Sequence, residues 1–123
     1  MRTSQQRSGD AAEDGVAREL ANAGWTILAR QGHVGRAELD LVAVDPGPPQ
    51  SLVIVEVRWR ARRDFGLPEE TVEWRKRRRL HLAAWRWLET ADAPNLPLRF
   101  DLVVVEPGLS ADLPRLRHHR SAF

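Results

Sequence analysis

Asp40, Glu56 and Arg58 are the residues of this 123-residue chain whose types and spacing first suggest chemistry. Asp40 lies in AELDLVAV (37–44), and Glu56 and Arg58 lie in SLVIVEVRW (51–59). Both runs read as β-strands, in which side chains alternate between two faces. Glu38, Asp40, Val42 and Val44 then share one face, and Leu52, Ile54, Glu56 and Arg58 share another. If the two strands are neighbours, Asp40 and Glu56 come together. Adjacent carboxylates repel, and a divalent cation is one common remedy. Oxygen ligands completed by water and phosphate suit Mg²⁺ or Mn²⁺. By itself the pattern is weak, because an acid followed at a distance by Glu-x-Arg recurs by chance.

Two further residues sit where a hydrophobe is expected. Glu13 falls on the apolar stripe of the first helix, and a core-facing carboxylate needs a partner. The plain alternative is an acid in the first helical turn, favoured by the helix dipole. Lys76, the only lysine, lies four residues from both Val72 and Leu80 on the apolar side of the second helix. It is either a site lysine or a snorkelling stem. Around it runs a concentration of positive charge: Arg58, Arg60, Arg62, Arg63 and the run Arg75–Arg79 place nine basic residues within 58–79. Such a run is usually a solvated surface, but this density also fits a phosphate-binding face.

The elements that must position these residues are legible in order. Residues 11–23 read as a helix with Asp10 as N-cap, an apolar stripe of Val16, Ala17, Leu20 and Ala23, and Gly24 as terminator. WTILAR (25–30), AELDLVAV (37–44) and SLVIVEVRW (51–59) are strands, with the turn-rich DPGPPQ (45–50) between the last two. Residues 71–89 form a long helix with Val72, Leu80, Ala83, Ala84 and Trp87 on its stripe, and LRFDLVVVE (98–106) is a fourth strand. The order is α-β-β-β-α-β. Three consecutive strands suggest an antiparallel meander, and the strand after the second helix can pair parallel through a crossover. The reading is an α/β fold: one domain over 1–123, a mixed sheet flanked by helices, with a core at about 10–106. Residues 1–9 and 107–123 are expected to be flexible tails.

Composition bounds the rest. Apolar residues make up 42% and charged residues 29%, enough for one core under an ionic surface. No stretch reaches the roughly 20 apolar residues of a membrane span, and the first residues lack the apolar run of a signal peptide. Cysteine is absent, which removes disulfides and thiolate metal sites. A cytoplasmic protein with no membrane partner is the expectation. The net charge is +2, while the pI is about 10.3, because the cations are almost all arginine. A codon bias accounts for the excess itself; where the arginines fall is more informative.

Through these residues the chain resembles the YraN-type family of uncharacterised bacterial proteins, which has a restriction-endonuclease-like fold. AEDGVARELANAGWTILAR resembles the family's G-E-x-x-A-x-x-x-L-x-x-x-G-x-x-I-L opening. AELDLVAVD is similar to G-E-I-D-L-I-A, and VEVRWR to V-E-V-K-x-R, while FGLPEETVEWRKRRRL and RFDLVVVE fit the later segments. The likeness covers residues 12–106. The larger superfamily is that of the PD-(D/E)-x-K nucleases. The resemblance implies a restriction-endonuclease-like core in which Asp40 and Glu56 hold Mg²⁺ or Mn²⁺ and Glu13 is the helix acid. Glu38 is then a second family acid, and the position of Arg58 belongs to the residue that positions or activates water.

Three positions depart from that pattern. Ala37 replaces Gly, His33 stands where a basic Arg is expected, and Arg58 replaces the motif Lys. Arginine is not deprotonated at relevant pH, so Arg58 can orient water or clamp a phosphate but cannot act as a general base. Three readings follow. One is a metal-dependent nuclease in which Glu13, Asp40, Glu56 and Arg58 are catalytic, with Lys76 standing in for the missing lysine. Another is an inactive module that binds DNA or RNA through Arg60, Arg62, Arg63 and Lys76. The third is a protein-interaction scaffold using tryptophans such as Trp59 and Trp74. Many members of the superfamily are homodimers, though no residue here requires it.

Overall fold

Strand β1 (Thr26–Val34), strand β2 (Ala37–Asp45) and strand β3 (Ser51–Trp59) follow a first helix, α1 (Ser4–Asn22). Helix α2 (Trp74–Thr90) then leads to strands β4 (Leu98–Ser110) and β5 (Leu113–His119). They come from a computed structural model that describes residues 4–34, 37–59, 74–90, 92–110 and 113–123. The five strands form one sheet in chain order, β1-β2-β3-β4-β5. The first three make an antiparallel meander. β3 and β4 pair in parallel, as the α2 crossover demands, and β5 returns antiparallel on β4. The expected α-β-β-β-α-β order is present, with one strand added.

Each face of the sheet is covered by one helix. Ala12, Val16, Ala17 and Leu20 of α1 pack with Leu41, Ala43, Val53, Val55, Val103 and Val105. Leu80, Ala83 and Ala84 of α2 pack with Leu39, Val42, Leu52, Ile54 and Phe100. β3 and β4, buried on both faces, are accordingly near-continuous Val, Ile and Leu runs. Gly24 ends α1 with φ of +94°. The Trp25 amide donates to the Leu20 carbonyl at 2.9 Å and the Gly24 amide to Ala21 at 3.0 Å. This is the Schellman pattern, and the accompanying apolar pair, Leu20 and Trp25, enters the α1-side core.

Two expectations are corrected. α1 begins at Ser4, so Asp10 lies inside the helix and is not its cap; Gln and Arg propagate a helix that the apolar stripe has already nucleated. Residues 113–119 are also not a loose tail: they form β5, and the Ala122 amide reaches the Phe100 carbonyl at 2.8 Å. Leu116 is flanked by arginine and histidine, so hydrophobic alternation gave little sign of a strand. The acids that Arg117 and His118 meet, Glu106 and Asp101, lie on β4.

Candidate functional site

β2 and β3 pair from Asp45↔Ser51 up to Leu41↔Val55, and there their ladder ends. Beyond that point β2 stays paired with β1, through His33↔Glu38 and Val34↔Ala37. β3 stays paired with β4, from Glu56↔Leu102 to Trp59↔Val105. The two central strands therefore part, and Asp40 and Glu56 stand at the fork. Leu39 belongs to the core on the α2 side while Leu41 belongs to that on the α1 side. Strict alternation would have put both on one side, so it is interrupted across Asp40. The single-face reading of β2 is corrected to this extent.

The fork brings acids together from three elements. The Val57 amide donates to Asp40 Oδ2 at 2.9 Å, so a carboxylate oxygen takes a strand amide. The Asp40 carboxyl is pushed up to about 8, first by burial and then by the charge of Glu56. The Val57 amide pulls in the other direction, a hydrogen bond between the Asp40 and Glu56 side chains adds to the rise, and the charge of Glu13 contributes as well. Glu13 is only 7% exposed, on the buried stripe of α1 as its spacing indicated. Arg58 follows Glu56 by two residues and is half-buried.

A hydrogen bond between two carboxyl groups needs a proton between them, and so marks a place where positive charge is in demand. The donors are oxygen alone, as hard divalent cations prefer. Among the described residues no group of three or more His, Cys, Asp or Glu side chains is arranged to enclose a metal by itself. Two such oxygen donors fit a cation such as Mg²⁺ that keeps most of its water.

The other expected site residues are placed less fully. Lys76 lies near the start of α2, and Glu38 pairs by its backbone with His33. Arg60, Arg62 and Arg63 lie outside the described residues.

A second ionic cluster escaped the sequence reading. At the far end of β2 and on β4, Arg99 grips Asp101 with Nε and NH2, both at 2.9 Å, and its NH2 also reaches Asp45 Oδ2 at 2.9 Å. His118 Nε2 meets Asp101 Oδ2 at 2.8 Å, and the Ser121 amide donates to Asp101 Oδ1 at 3.1 Å. The Trp25 ring lies 5.6 Å from the Arg99 guanidinium. Asp101 is fully buried, and burial would raise its carboxyl. His118, Arg99 and the Ser121 amide outweigh that and hold it below the usual carboxylate range. Asp45 is likewise held low against its burial, by the Gly47 amide and Arg99. The available signal was Arg99 and Asp101 two apart on a strand face that continues as Val103 and Val105. A charge pair in that position must be compensated.

The same strand thus carries acids in opposite situations, compensated at Asp45 and uncompensated enough at Asp40 to retain a proton. Compensation is the mark of structure, and a strongly displaced carboxyl at a notch is the mark of a candidate site.

Comparison with known proteins agrees with the motifs. The profile of the uncharacterised protein family UPF0102 matches residues 12–105. A UPF0102 protein of Symbiobacterium thermophilum is 40% identical over 118 residues, covering 96% of this chain and 97% of its own. One from Pelotomaculum thermopropionicum is 35% identical over 123 residues, covering both chains completely. One from Xanthomonas axonopodis pv. citri is 40% identical over 124 residues, covering 100% and 96%. With the profile spanning both acid-bearing strands and relatives matched nearly end to end, the chain belongs to the YraN-type family UPF0102.

Proposed function

We propose that this protein is a nuclease of the PD-(D/E)-x-K kind, hydrolysing phosphodiester bonds of DNA or RNA with a divalent cation. The observation that carries the reading is the fork: β2 and β3 part where Asp40 and Glu56 meet, with Glu13 adding its charge from α1. Asp40 and Glu56 are the residues to hold Mg²⁺ or Mn²⁺. A cation bound there neutralises phosphate charge and makes water a better nucleophile at neutral pH. Glu13 adds negative charge that strengthens the demand for a cation. Arg58, with its planar guanidinium, clamps the phosphate and steadies the charge that builds on it as the bond breaks. Lys76 is the candidate replacement for the motif lysine, and the arginines of 60–63 supply the sequence-independent grip on the backbone. A cytoplasmic location is part of this reading; among the described residues no helix is long and apolar enough to cross a membrane.

Arg58 also favours a second reading, a protein that keeps the fold and binds nucleic acid without cutting it. One experiment separates them. Linear, single-stranded and branched substrates are incubated with Mn²⁺ and either the protein or Asp40→Ala. Cleavage by the first and not the second supports the nuclease. Salt-dependent binding by both with no cleavage supports the binding module. Failure to bind any substrate at low salt removes both. Cleavage by both proteins points to a contaminant.

A further inference from the structure

The outward face of α2 carries a feature that the fork does not use. Leu82 is 50% exposed and Trp85 is 58% exposed, the two most exposed large apolar side chains of the described residues. They are three residues apart and so lie side by side on one helix face. Arg78 lies one turn before Leu82 and two turns before Trp85, and Arg79 and Arg86 border the same arc, all three exposed. Only Glu89, a further turn along, brings an exposed acid to this arc. The opposite side of the helix is fully engaged, with Leu80, Ala83 and Ala84 in the core. Leu82 and Trp85 are therefore surplus to folding: an indole and a leucine face water where a polar residue costs nothing.

Apolar surface framed by guanidinium groups selects its occupant by charge. Arginines repel a basic partner surface and lose water against a neutral one, and they suit a ligand carrying one negative charge per repeat and a flat apolar ring between charges. A nucleic-acid strand with unpaired bases has this chemistry, stacking on an aromatic ring while its phosphates meet arginine. The seven helical steps from Arg78 to Trp85 span about 10 Å, the rise of roughly three stacked nucleotides. A fully paired duplex hides its base faces and leaves the indole nothing to stack on.

We infer that the Arg78–Arg79–Leu82–Trp85 face of α2 is a second nucleic-acid contact that stacks unpaired bases, so that the substrate is single-stranded or carries a single-stranded branch. The inference rests on the nucleic-acid reading of the fork and adds the substrate class to it.

The test is fluorescence anisotropy at low salt with EDTA present, so that nothing is cut, using a labelled 20-nucleotide single strand and the blunt duplex of the same sequence. The expected result is tighter binding of the single strand. Trp85→Ala should weaken it about ten-fold and leave the duplex within two-fold, while Trp85→Phe should retain most of the affinity. Arg78→Ala with Arg79→Ala should weaken both probes and flatten the salt dependence by one to two phosphate contacts. Thermal melting of each variant confirms the fold. If the wild-type protein binds strands but Trp85→Ala binds the single strand as well as the parent does, the α2 face is overturned and the fork reading stands. Equal affinity of the parent for both probes also overturns the inference. If the parent binds neither probe, the nucleic-acid reading itself falls, and this inference falls with it.

Discussion

The Val57 amide lies 2.9 Å from Asp40 Oδ2, just past the last rung that joins β2 to β3. An amide that a sheet would give to a neighbouring strand is given to a side chain. That exchange keeps the amide satisfied where the strands diverge. It also fixes the carboxyl beside Glu56, so the end of the ladder and the candidate chemistry are one feature.

Asp40→Asn should stabilise the protein at alkaline pH. The carboxyl sits near 3.8 in an unfolded chain and at about 8 here. Its favourable contribution is therefore complete below pH 4, declines as pH rises, and is lost above pH 8. The upper bound of that loss is about 6 kcal/mol. Asp40 is partly solvated, so a gain of about 1–2 kcal/mol, or several degrees in Tm, is expected at pH 9. Melting curves at pH 4 and pH 9 check it: the two proteins should match at the lower pH and diverge at the higher.

Mn²⁺ or Mg²⁺ should raise the melting temperature of the parent protein and not that of Asp40→Asn. Binding must displace the proton shared with Glu56, so the metal-induced shift should grow from pH 6 to pH 8. Titration by calorimetry in two buffers of different ionisation enthalpy would show the proton leaving.

Arg58→Lys restores the residue type that the nuclease pattern carries. Cleavage with Mn²⁺ should rise several-fold, and its pH profile should acquire a limb absent from the arginine form, because lysine can titrate when its environment lowers its pKa. Arg58→Ala should reduce cleavage by roughly ten- to a hundred-fold. Identical rates for all three would deny Arg58 any part in the chemistry.

Asp101→Asn should behave oppositely to Asp40→Asn. The Asp101 carboxyl is held below its usual range by His118, Arg99 and the Ser121 amide. Its contribution is present above the unfolded value near 3.8 and is lost as pH falls through the lower, folded value. The parent protein should therefore lose stability in acid as this cluster is protonated. The variant, which leaves Arg99 and His118 short of a partner, should cost about 3–5 kcal/mol at pH 7. Hydrogen exchange should show the loss first in β5, which the cluster fastens to β4.

The sequence made the core framework legible because each element announced itself in hydrophobes. The three-strand meander, the crossover and the buried acid on α1 all followed from periodicity. What escaped was held by charge. β5 presents Leu116 between arginines and histidines, and its partners are acids: Arg117 pairs with Glu106, and His118 with Asp101. Apolar alternation does not register such a strand. Asp40 and Glu56 were legible as a pair, but the parting of their strands was not, because an interrupted ladder depends on how Leu39 and Leu41 pack on opposite sides. Trp85 was legible only as one of five tryptophans; its exposure becomes visible only once α2 has a buried side.

The parallel pairing of β3 with β4 also sets an order of events during synthesis. Glu13, Asp40 and Glu56 all leave the ribosome before residue 60, whereas β4 begins at Leu98. Until then β3, a run of Val, Leu and Ile, has one open hydrogen-bonding edge. A nascent or prematurely ended chain therefore presents the acid-bearing half of the fold with its most aggregation-prone strand uncovered. Chains stopped within α2 should accumulate as insoluble protein or on chaperones, and solubility should return once the codons for β4 have been read.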